Sequence, residues 1–229
     1  MKHPIIELRN VWKTYQMGHN QVHALKGVSM QIHRGEFVAV VGPSGSGKST
    51  MMNIIGCLDI PTQGHVFLDG HDIAKMSESN LATIRGKKIG FVFQRFNLIP
   101  TLTAVENVTL PMIFQGTSAR QREERGMMLL THFGLKERAL HKPTELSGGQ
   151  SQRVAISRAL ANNPEVILAD EPTGNLDSKT GAEVMNTLKD IHMKEGKTVI
   201  LVTHDLNLLH HAERVIYLKD GMIEKIKKR

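Results

Sequence analysis

The sequence predicts an α/β fold in which a mostly parallel sheet carries a helical insert, and three observations support this prediction. Short apolar runs separated by turns fill the first third of the chain, and β-rich runs return in the last third. Between about residues 95 and 160 the apolar residues follow helical periodicity alone. Strands that alternate with helices on both sides of such a segment are typical of a parallel sheet.

The first third contains three predicted strands, within "IIELRNV", "VHALKGVSMQI" and "EFVAVVG". "FVAVV", residues 37–41, is apolar at every position, which indicates a strand covered on both faces. The next segment has the helical spacing of Met51, Ile54, Ile55 and Leu58, and we expect this helix to stop before Pro61. A strand that leads through a glycine-rich loop into a helix is the geometry of a phosphate site.

The last third repeats the strand and helix pattern. "EVILAD" at 165–170, "KTVILVT" at 197–203 and "RVIYLKDG" at 214–221 are predicted strands, with a helix over 178–196 between the first two. No Ser/Gly linker flanks the helical segment, so we expect it to pack against the core. The predicted division is a first core part at 1–94, a helical part at 95–160 and a second core part at 161–229.

Composition limits the class of protein and its compartment. The chain of 229 residues has no apolar run long enough to span a membrane, no apolar stretch at its start, and a single cysteine, Cys57. We therefore expect a soluble cytosolic chain in which Cys57 is a small buried hydrophobe. The net charge of +7 is spread along the chain. Its local run, Lys225–Arg229, is expected to be a frayed end, with a membrane surface contact as the alternative.

The stretch "GPSGSGKST" matches the phosphate-loop pattern through Gly42, Gly47, Lys48 and Ser49. Its glycines let backbone N–H groups surround an anion, Lys48 can reach the β- and γ-phosphates, and the Ser49 hydroxyl can bind Mg²⁺. The predicted nucleotide-binding residues of this stretch are Gly42, Pro43, Ser44, Gly45, Ser46, Gly47, Lys48, Ser49 and Thr50.

Polar residues end three other predicted strands. Asp170 is placed to hold Mg²⁺, and Glu171, one residue further, to orient or deprotonate an attacking water. Gln94 and His204 end their own strands and are candidates for sensing the γ-phosphate. Because ligands bind outside the carboxyl ends of parallel strands, we expect these residues to share one site with the phosphate loop.

A second stretch with the composition of an anion site is "LSGGQSQR" at 146–153. It begins a predicted helix, so the N–H groups of its first turn can bind a negative group. It belongs to the helical segment rather than to the strand ends, and nothing in the sequence brings it to the first loop.

Taken in order, these motifs resemble the nucleotide-binding subunit of an ATP-binding cassette (ABC) transporter. The resemblance rests on Tyr15 in "WKTYQMG", the loop 42–50, Gln94, "LSGGQ", "ILADEPT", "NLDS" at 175–178 and His204. It implies a RecA-like phosphate-loop NTPase core with an antiparallel β subdomain and an inserted α-helical subdomain.

The resemblance also implies a role for each residue that matches a family motif. Tyr15 would stack on adenine, Gln94 would reach Mg²⁺ and the attacking water, and Asp177 would cross to a partner subunit. Glu171 would be the catalytic base of an ATPase, and His204 would contact the γ-phosphate. The residues implied to close over ATP held by a second copy are Ser147, Gly148, Gly149 and Gln150.

The implied cofactors are ATP and Mg²⁺, and the implied partners are a second copy of the chain and a membrane permease, with no nucleic acid. Linker segments such as "IIGCLDIPTQG" resemble the lipoprotein-release, macrolide-export and cell-division branch. Ser151 departs from that branch, which commonly has a second glutamine there. The chain would lie on the cytoplasmic face of the cell membrane through its permease.

Two other functions fit parts of the sequence. An ATPase of the same family could signal to a membrane partner without moving a substrate, and the sequence leaves this alternative open. A nucleic-acid-repair ATPase would use the positive charge, but such relatives carry long coiled-coil or zinc-bearing inserts that the segment 95–160 lacks.

Overall fold

A computed structural model of the chain describes residues 3–228. Met1, Lys2 and Arg229, at the outer ends of the predicted core parts, lie outside the described residues. The strands are β1 (Pro4–Met17), β2 (Asn20–His33), β3 (Phe37–Val41), β4 (Gln63–Leu68), β5 (His71–Asp72), β6 (Ile89–Phe93), β7 (Val166–Asp170), β8 (Thr198–Thr203), β9 (Arg214–Lys219) and β10 (Met222–Lys228). The α-helices are α1 (Lys48–Ile55), α2 (Glu78–Lys88), α3 (Ala104–Ile113), α4 (Ala119–His132), α5 (Gly148–Ala159) and α6 (Ser178–Glu195).

The larger sheet has six strands in the order β10-β9-β3-β8-β7-β6. All neighbours from β9 to β6 are parallel, and β10 pairs with β9 in the antiparallel sense. All five residues of β3 are buried: Phe37 and Ala39 join the core on one face, while Val38 and Val40 join the core on the other. The predicted parallel sheet with a strand covered on both faces is confirmed.

The smaller sheet is antiparallel, with four strands in the order β2-β1-β4-β5. Its apolar side chains, such as Ile6 and Leu25, share one core with Val38 of β3 and Ile54 of α1. This sheet therefore covers one face of the larger sheet, as the family resemblance implied for an antiparallel β subdomain.

The chain between Phe93 and Val166 contains helices and turns and, in the part described, no strand. Three of these helices, α3, α4 and α5, begin with capping boxes, which satisfy the N–H groups of the N-cap residue and of the third helical residue. Val108 of α3, Leu130 of α4 and Val154 of α5 share the core that contains Ala39. The helical segment therefore packs against the sheet, while the exact boundaries at 95 and 160 remain predictions.

The last residues that the structure describes differ from the sequence-based expectation. Lys225–Lys228 belong to strand β10, where the Nζ of Lys225 lies 4.6 Å from the ring centroid of Tyr217 and Ile226 pairs with Ile216. The expectation of a frayed end at these four residues was wrong, because cross-strand pairing holds them. The fifth residue of that run, Arg229, lies outside the described residues.

Helix α2 was not predicted, because it has no apolar stripe and only Leu81 is buried. Its signals are the Ser77 N-cap, Glu78 in the first turn and three basic residues in the last turn. Helix α1 ends at Ile55, where Gly56 and then Cys57, with a φ of 53°, turn the chain. Among residues 3–228, no helix combines the length and the apolar character that crossing a bilayer requires.

Candidate active site

A cleft of about 900 Å³ opens beyond the carboxyl ends of β3, β6, β7 and β8. Because these strands run parallel, the residues that follow them meet at one edge of the sheet. The predicted site residues that line the cleft are Ser44, Gly45, Gly47, Lys48, Ser49, Thr50, Gln94, Asp170, Glu171 and His204. The structure therefore brings the phosphate loop and the three other strand ends together.

The phosphate loop connects β3 to α1, and glycine is required at two of its positions for different reasons. Gly47 has a φ of 100°, and a Cβ there would lie 2.5 Å from the carbonyl oxygen of Ala24. Gly42 has no such φ, but its Cβ would lie 2.1 Å from the carbonyl oxygen of Leu218. The first turn of α1 lines the cleft, so its unpaired N–H groups and the helix dipole favour an anion there.

Lys48 lies inside the curve of this loop. Its Nζ donates hydrogen bonds of 2.7 Å to the carbonyl oxygen of Gly42 and 2.9 Å to that of Pro43. The hydroxyl of Ser46 is buried and has no hydrogen-bond partner among the described residues. A cation within a glycine loop is suited to phosphate oxygens, whereas the Ser46 hydroxyl lies outside the described cleft lining.

Asp170, at the end of β7, is a carboxylate in a poorly solvated position. Burial and the neighbouring carboxylate of Glu171 raise its pKa, and the nearby charge of Lys48 acts in the opposite direction. Ser49 and Gln94 line the same cleft and add a hydroxyl and an amide oxygen. These hard oxygen ligands fit a divalent cation such as Mg²⁺.

Glu171 adopts a φ of 45°, in the left-handed region that non-glycine residues rarely occupy. Its carboxylate accepts hydrogen bonds of 3.0 Å from the Thr203 hydroxyl and 2.9 Å from the backbone N–H of His204. The same carboxylate lies 2.6 Å from Nδ1 of the His204 imidazole. The two candidate catalytic side chains thus contact each other across the ends of β7 and β8.

Gln94 follows β6 and contacts the loop after Glu171. Its side-chain amide lies 3.4 Å from Oδ1 of Asn175, and the Asn175 amide donates a 3.0 Å hydrogen bond to the Gln94 carbonyl oxygen. Gly174 leaves room for this contact, because a Cβ there would lie 2.6 Å from the Gln94 amide nitrogen.

Tyr15 lies beside the cleft on β1, paired in register with Val22, which lines the cleft. Its hydroxyl donates a 2.9 Å hydrogen bond to Asp59, and the Nζ of Lys13 lies 5.0 Å from the ring centroid. Burial and the contact with Asp59 raise its pKa, while a contact with Thr50 of the phosphate loop lowers it. The structure thus places Tyr15 near the loop, and its stacking on adenine remains a prediction.

The "LSGGQ" stretch lies elsewhere. Ser147 caps α5, and its hydroxyl accepts a hydrogen bond from the backbone N–H of Gln150, whose side chain in turn accepts from the Ser147 N–H at 2.9 Å. Ser147 and Gly148 are exposed, and none of residues 146–150 belongs to the described cleft lining. One chain therefore carries two anion-binding features that do not meet.

Asp177 begins α6 in the same manner. Its carboxylate accepts hydrogen bonds from the N–H groups of Lys179 and Thr180 and, at 2.6 Å, from the Thr180 hydroxyl. The contacts with Thr180 lower the pKa of Asp177, so this exposed side chain stays ionised. Like Gly42, Pro43 and Ser46 of the phosphate loop, this predicted nucleotide residue lies outside the described cleft lining.

Several residues of the cleft belong to no motif of the sequence. His23 and Lys26 of β2 and Asp220 of the turn after β9 all line it, and Thr203 holds Glu171. No motif marks His23 or Lys26, because the antiparallel sheet brings them to the cleft from a distant part of the chain. Thr203 could have been identified as the polar residue before His204 at the strand end.

Comparison with known proteins places these features in a family. The family model described as "ABC transporter" matches residues 25–174. An uncharacterized ABC transporter ATP-binding protein of Methanocaldococcus jannaschii, MJ0796, is 57% identical over 228 residues, which is 98% of this chain and 97% of that protein.

The macrolide export ATP-binding/permease protein MacB of a Shewanella species is 49% identical over 223 residues, covering 97% of this chain and 34% of MacB. The chain therefore spans about a third of the length of that relative. Among solved structures, a dimeric post-hydrolysis state of the ATP-binding cassette MJ0796 bound to ADP and Pi superposes with a TM-score of 0.90 at 55% identity, covering 97% of this chain and 98% of that one.

Proposed function

The chain belongs to the ABC transporter family, and we propose that it is an Mg²⁺-dependent ATPase that closes on ATP as a head-to-tail dimer. It serves as the ATP-binding subunit of a membrane transporter. The observation that carries this proposal is the separation of the phosphate loop from the "LSGGQ" stretch within one chain. Each feature is half of a site, and a second copy can supply the missing half.

The phosphate loop holds the nucleotide in its own chain. The first-turn N–H groups of α1 and the ammonium of Lys48 bind the β- and γ-phosphates. Tyr15 and the cleft-lining part of β2 lie on the side where the base would extend.

Three oxygen ligands, from Ser49, Gln94 and Asp170, would hold Mg²⁺ beside the phosphates. When bound, Mg²⁺ neutralises the charge that develops on the transferring phosphoryl group. The raised pKa of Asp170 supports this assignment, because a buried carboxylate next to Glu171 gains most from a cation.

Glu171 would orient and deprotonate the attacking water, since its carboxylate is held by Thr203 and by His204 at the mouth of β7. His204, whose side chain is 72% exposed, can fix Glu171 and also contact the γ-phosphate. Water attack at phosphorus breaks the bond to the β-phosphate oxygen and yields ADP and phosphate.

The partner's "LSGGQ" stretch would close this site. The exposed first turn of α5 offers N–H groups and a helix N-terminus to the γ-phosphate of the other chain. Hydrolysis removes the group that both halves bind, so the dimer opens again. The related cassette MJ0796 forms a dimer bound to ADP and Pi, which supports the same assembly here.

A groove of about 310 Å³ beside Gln94 suits the permease. Phe91 and Phe93 stack in it with centroids 5.5 Å apart, and Pro111 of α3 forms another wall. Movement of α5 during closure would change this groove, since Ala159 also lines it. The name of the MacB relative joins macrolide export, an ATP-binding part and a permease part, which supports a permease partner of the export type.

The test is steady-state phosphate release by the purified chain with ATP and Mg²⁺, with and without EDTA, combined with co-purification from membranes. We expect Mg²⁺-dependent turnover and a co-purified membrane protein with several spans. Turnover that persists in EDTA would contradict the metal assignment, and a chain that binds ATP without hydrolysing it would contradict the ATPase.

A further inference from the structure

Gln152 is a fully buried polar side chain that lies between the "LSGGQ" stretch and the catalytic glutamate of the same chain. Its side-chain amide donates a 2.6 Å hydrogen bond to the carbonyl oxygen of Pro172. Its Oε1 atom is buried and has no partner among the described residues. A buried side-chain amide whose oxygen has no hydrogen-bond partner costs stability, so its presence here calls for an explanation other than stability.

The hydrogen-bond acceptor is the residue that follows Glu171. Glu171 is strained, with a φ of 45°, and a residue before proline has still fewer allowed conformations. Its N–H donates a 2.9 Å hydrogen bond to Val202, and its carbonyl oxygen accepts a 3.0 Å hydrogen bond from Gly174. The Gln152 amide holds the next carbonyl oxygen along the chain, so it completes the set of bonds that fixes this turn.

The donor belongs to the first half of helix α5, whose N-terminus is the "LSGGQ" stretch. That N-terminus is packed closely on the segment after Glu171: a Cβ on Gly149 would lie 2.5 Å from the Thr180 side chain, and one on Gly148 would lie 3.3 Å from that of Leu176. These close contacts and the hydrogen bond to Pro172 connect α5 to that segment, so a shift of α5 would move Pro172 with it.

We propose that Gln152 is a positioning residue that couples closure of α5 on the partner's ATP to the placement of Glu171 in its own chain. The inference depends on the proposed dimer, in which "LSGGQ" serves the partner's site and Glu171 serves its own. The hydrogen bond from Gln152 to Pro172 thus links the two ATP sites of a dimer through the interior of each chain.

Gln152→Met tests the inference, because methionine has a similar volume and no N–H donor. We expect kcat to fall by about 10- to 100-fold, as for a misplaced catalytic group. The affinity of the chain for ATP stays at its wild-type value and the chain stays folded, because removal of the unpaired Oε1 offsets part of the cost of the unpaired Pro172 carbonyl oxygen. The control is Ser157→Ala on the same helix, since Ser157 is equally buried and bonds only to Arg153 of its own helix.

Gln152→Glu adds a readout that a purely structural role would not produce. A neutral carboxylic acid can donate a hydrogen bond to the Pro172 carbonyl oxygen, whereas an ionised carboxylate cannot. The ratio of variant to wild-type kcat should therefore rise as the pH is lowered, while the ratio for Gln152→Met stays flat. Equal pH dependence of the two ratios would overturn the proposal.

Mixed dimers show which chain's Glu171 depends on Gln152. The reference is a wild-type chain paired with a Glu171→Gln chain, in which only the wild-type chain has an active Glu171. If Gln152 acts on its own Glu171, a Gln152→Met chain paired with a Glu171→Gln chain loses activity. A chain carrying both substitutions paired with wild type retains the reference activity. The reverse result would mean that Gln152 only shapes the "LSGGQ" stretch and would overturn the proposal. Absence of turnover in the wild-type homodimer would instead contradict the proposed function.

Discussion

The Glu171 carboxylate lies 2.6 Å from Nδ1 of His204 and accepts a 2.9 Å hydrogen bond from the backbone N–H of the same residue. Side chains at the ends of two neighbouring strands are thus held as one unit. The N–H donor belongs to the backbone, so it orients Glu171 whatever the imidazole does, while the imidazole can also turn toward a phosphate.

Replacement of His204 should therefore reduce turnover more than nucleotide binding. We expect His204→Ala to lower kcat by about 100-fold, the range of a lost acid–base partner, with little change in ATP affinity. The matched control is His210→Ala, because His210 is exposed and lies outside the cleft lining. Phosphate release and nucleotide binding are measured on both variants. Equal losses of turnover in His204→Ala and His210→Ala would contradict the prediction.

Replacement of Asp170 should separate stability from function. Its pKa is raised in the fold, so its ionised form disfavours folding above the ordinary carboxyl range, and this penalty fades as the pH falls and the group protonates. Metal-free Asp170→Asn should thus melt at a higher temperature than wild type at neutral pH, with a gap that narrows in acid.

The same Asp170→Asn variant should lose Mg²⁺-dependent turnover. Thermal unfolding in EDTA across a pH series provides the stability measurement, with Asp190→Asn on the exposed face of α6 as the control. An unchanged or lower melting temperature for metal-free Asp170→Asn at neutral pH would show that the buried carboxylate does not destabilise the fold.

Tyr15 should contribute through its ring rather than its hydroxyl. Base stacking on an aromatic side chain is worth about 1–3 kcal/mol, so Tyr15→Ala should weaken ATP binding by about tenfold or more. Tyr15→Phe removes the hydrogen bond to Asp59 and keeps the ring, and it should bind ATP almost as wild type does. If titration with a nucleotide showed equal weakening by the two variants, the adenine assignment would be wrong.

Ser147 and Lys48 should behave differently when replaced. Ser147→Arg blocks the exposed start of α5, so it should leave ATP binding to the single chain nearly unchanged and remove dimerisation and turnover. Lys48→Ala removes a charge-assisted contact of about 1.5–3 kcal/mol and should weaken binding itself by about tenfold or more. Binding is measured at protein concentrations that keep the chain monomeric, and equal weakening by both variants would mean that "LSGGQ" serves its own chain.

Much of the core was predictable because its signals are local. "FVAVV" is apolar at every position, and such a run indicates a strand buried on both faces, as β3 is. The phosphate loop and Asp170 could be placed for a similar reason, since a parallel sheet brings the ends of its strands together.

Other features depend on distant contacts that no local pattern records. Helix α2 buries only Leu81, so its apolar spacing carries no signal, and Lys225–Lys228 become a strand through pairing with β9. His23 and Lys26 reach the cleft because the antiparallel sheet places β2 there. The contact of Gln152 with Pro172 spans 20 residues and could be identified only from the packed structure.

The Glu171→Gln variant shows whether ATP joins two copies of this chain. The variant keeps the shape of the side chain and loses the base, so ATP should stay bound and hold the dimer. Light scattering at saturating Mg²⁺ and ATP should give twice the mass of the nucleotide-free chain, with most turnover lost. A variant that stays monomeric under those conditions would show that ATP does not join two copies of the chain. A variant that hydrolyses ATP at the wild-type rate would show that Glu171 is not the catalytic base.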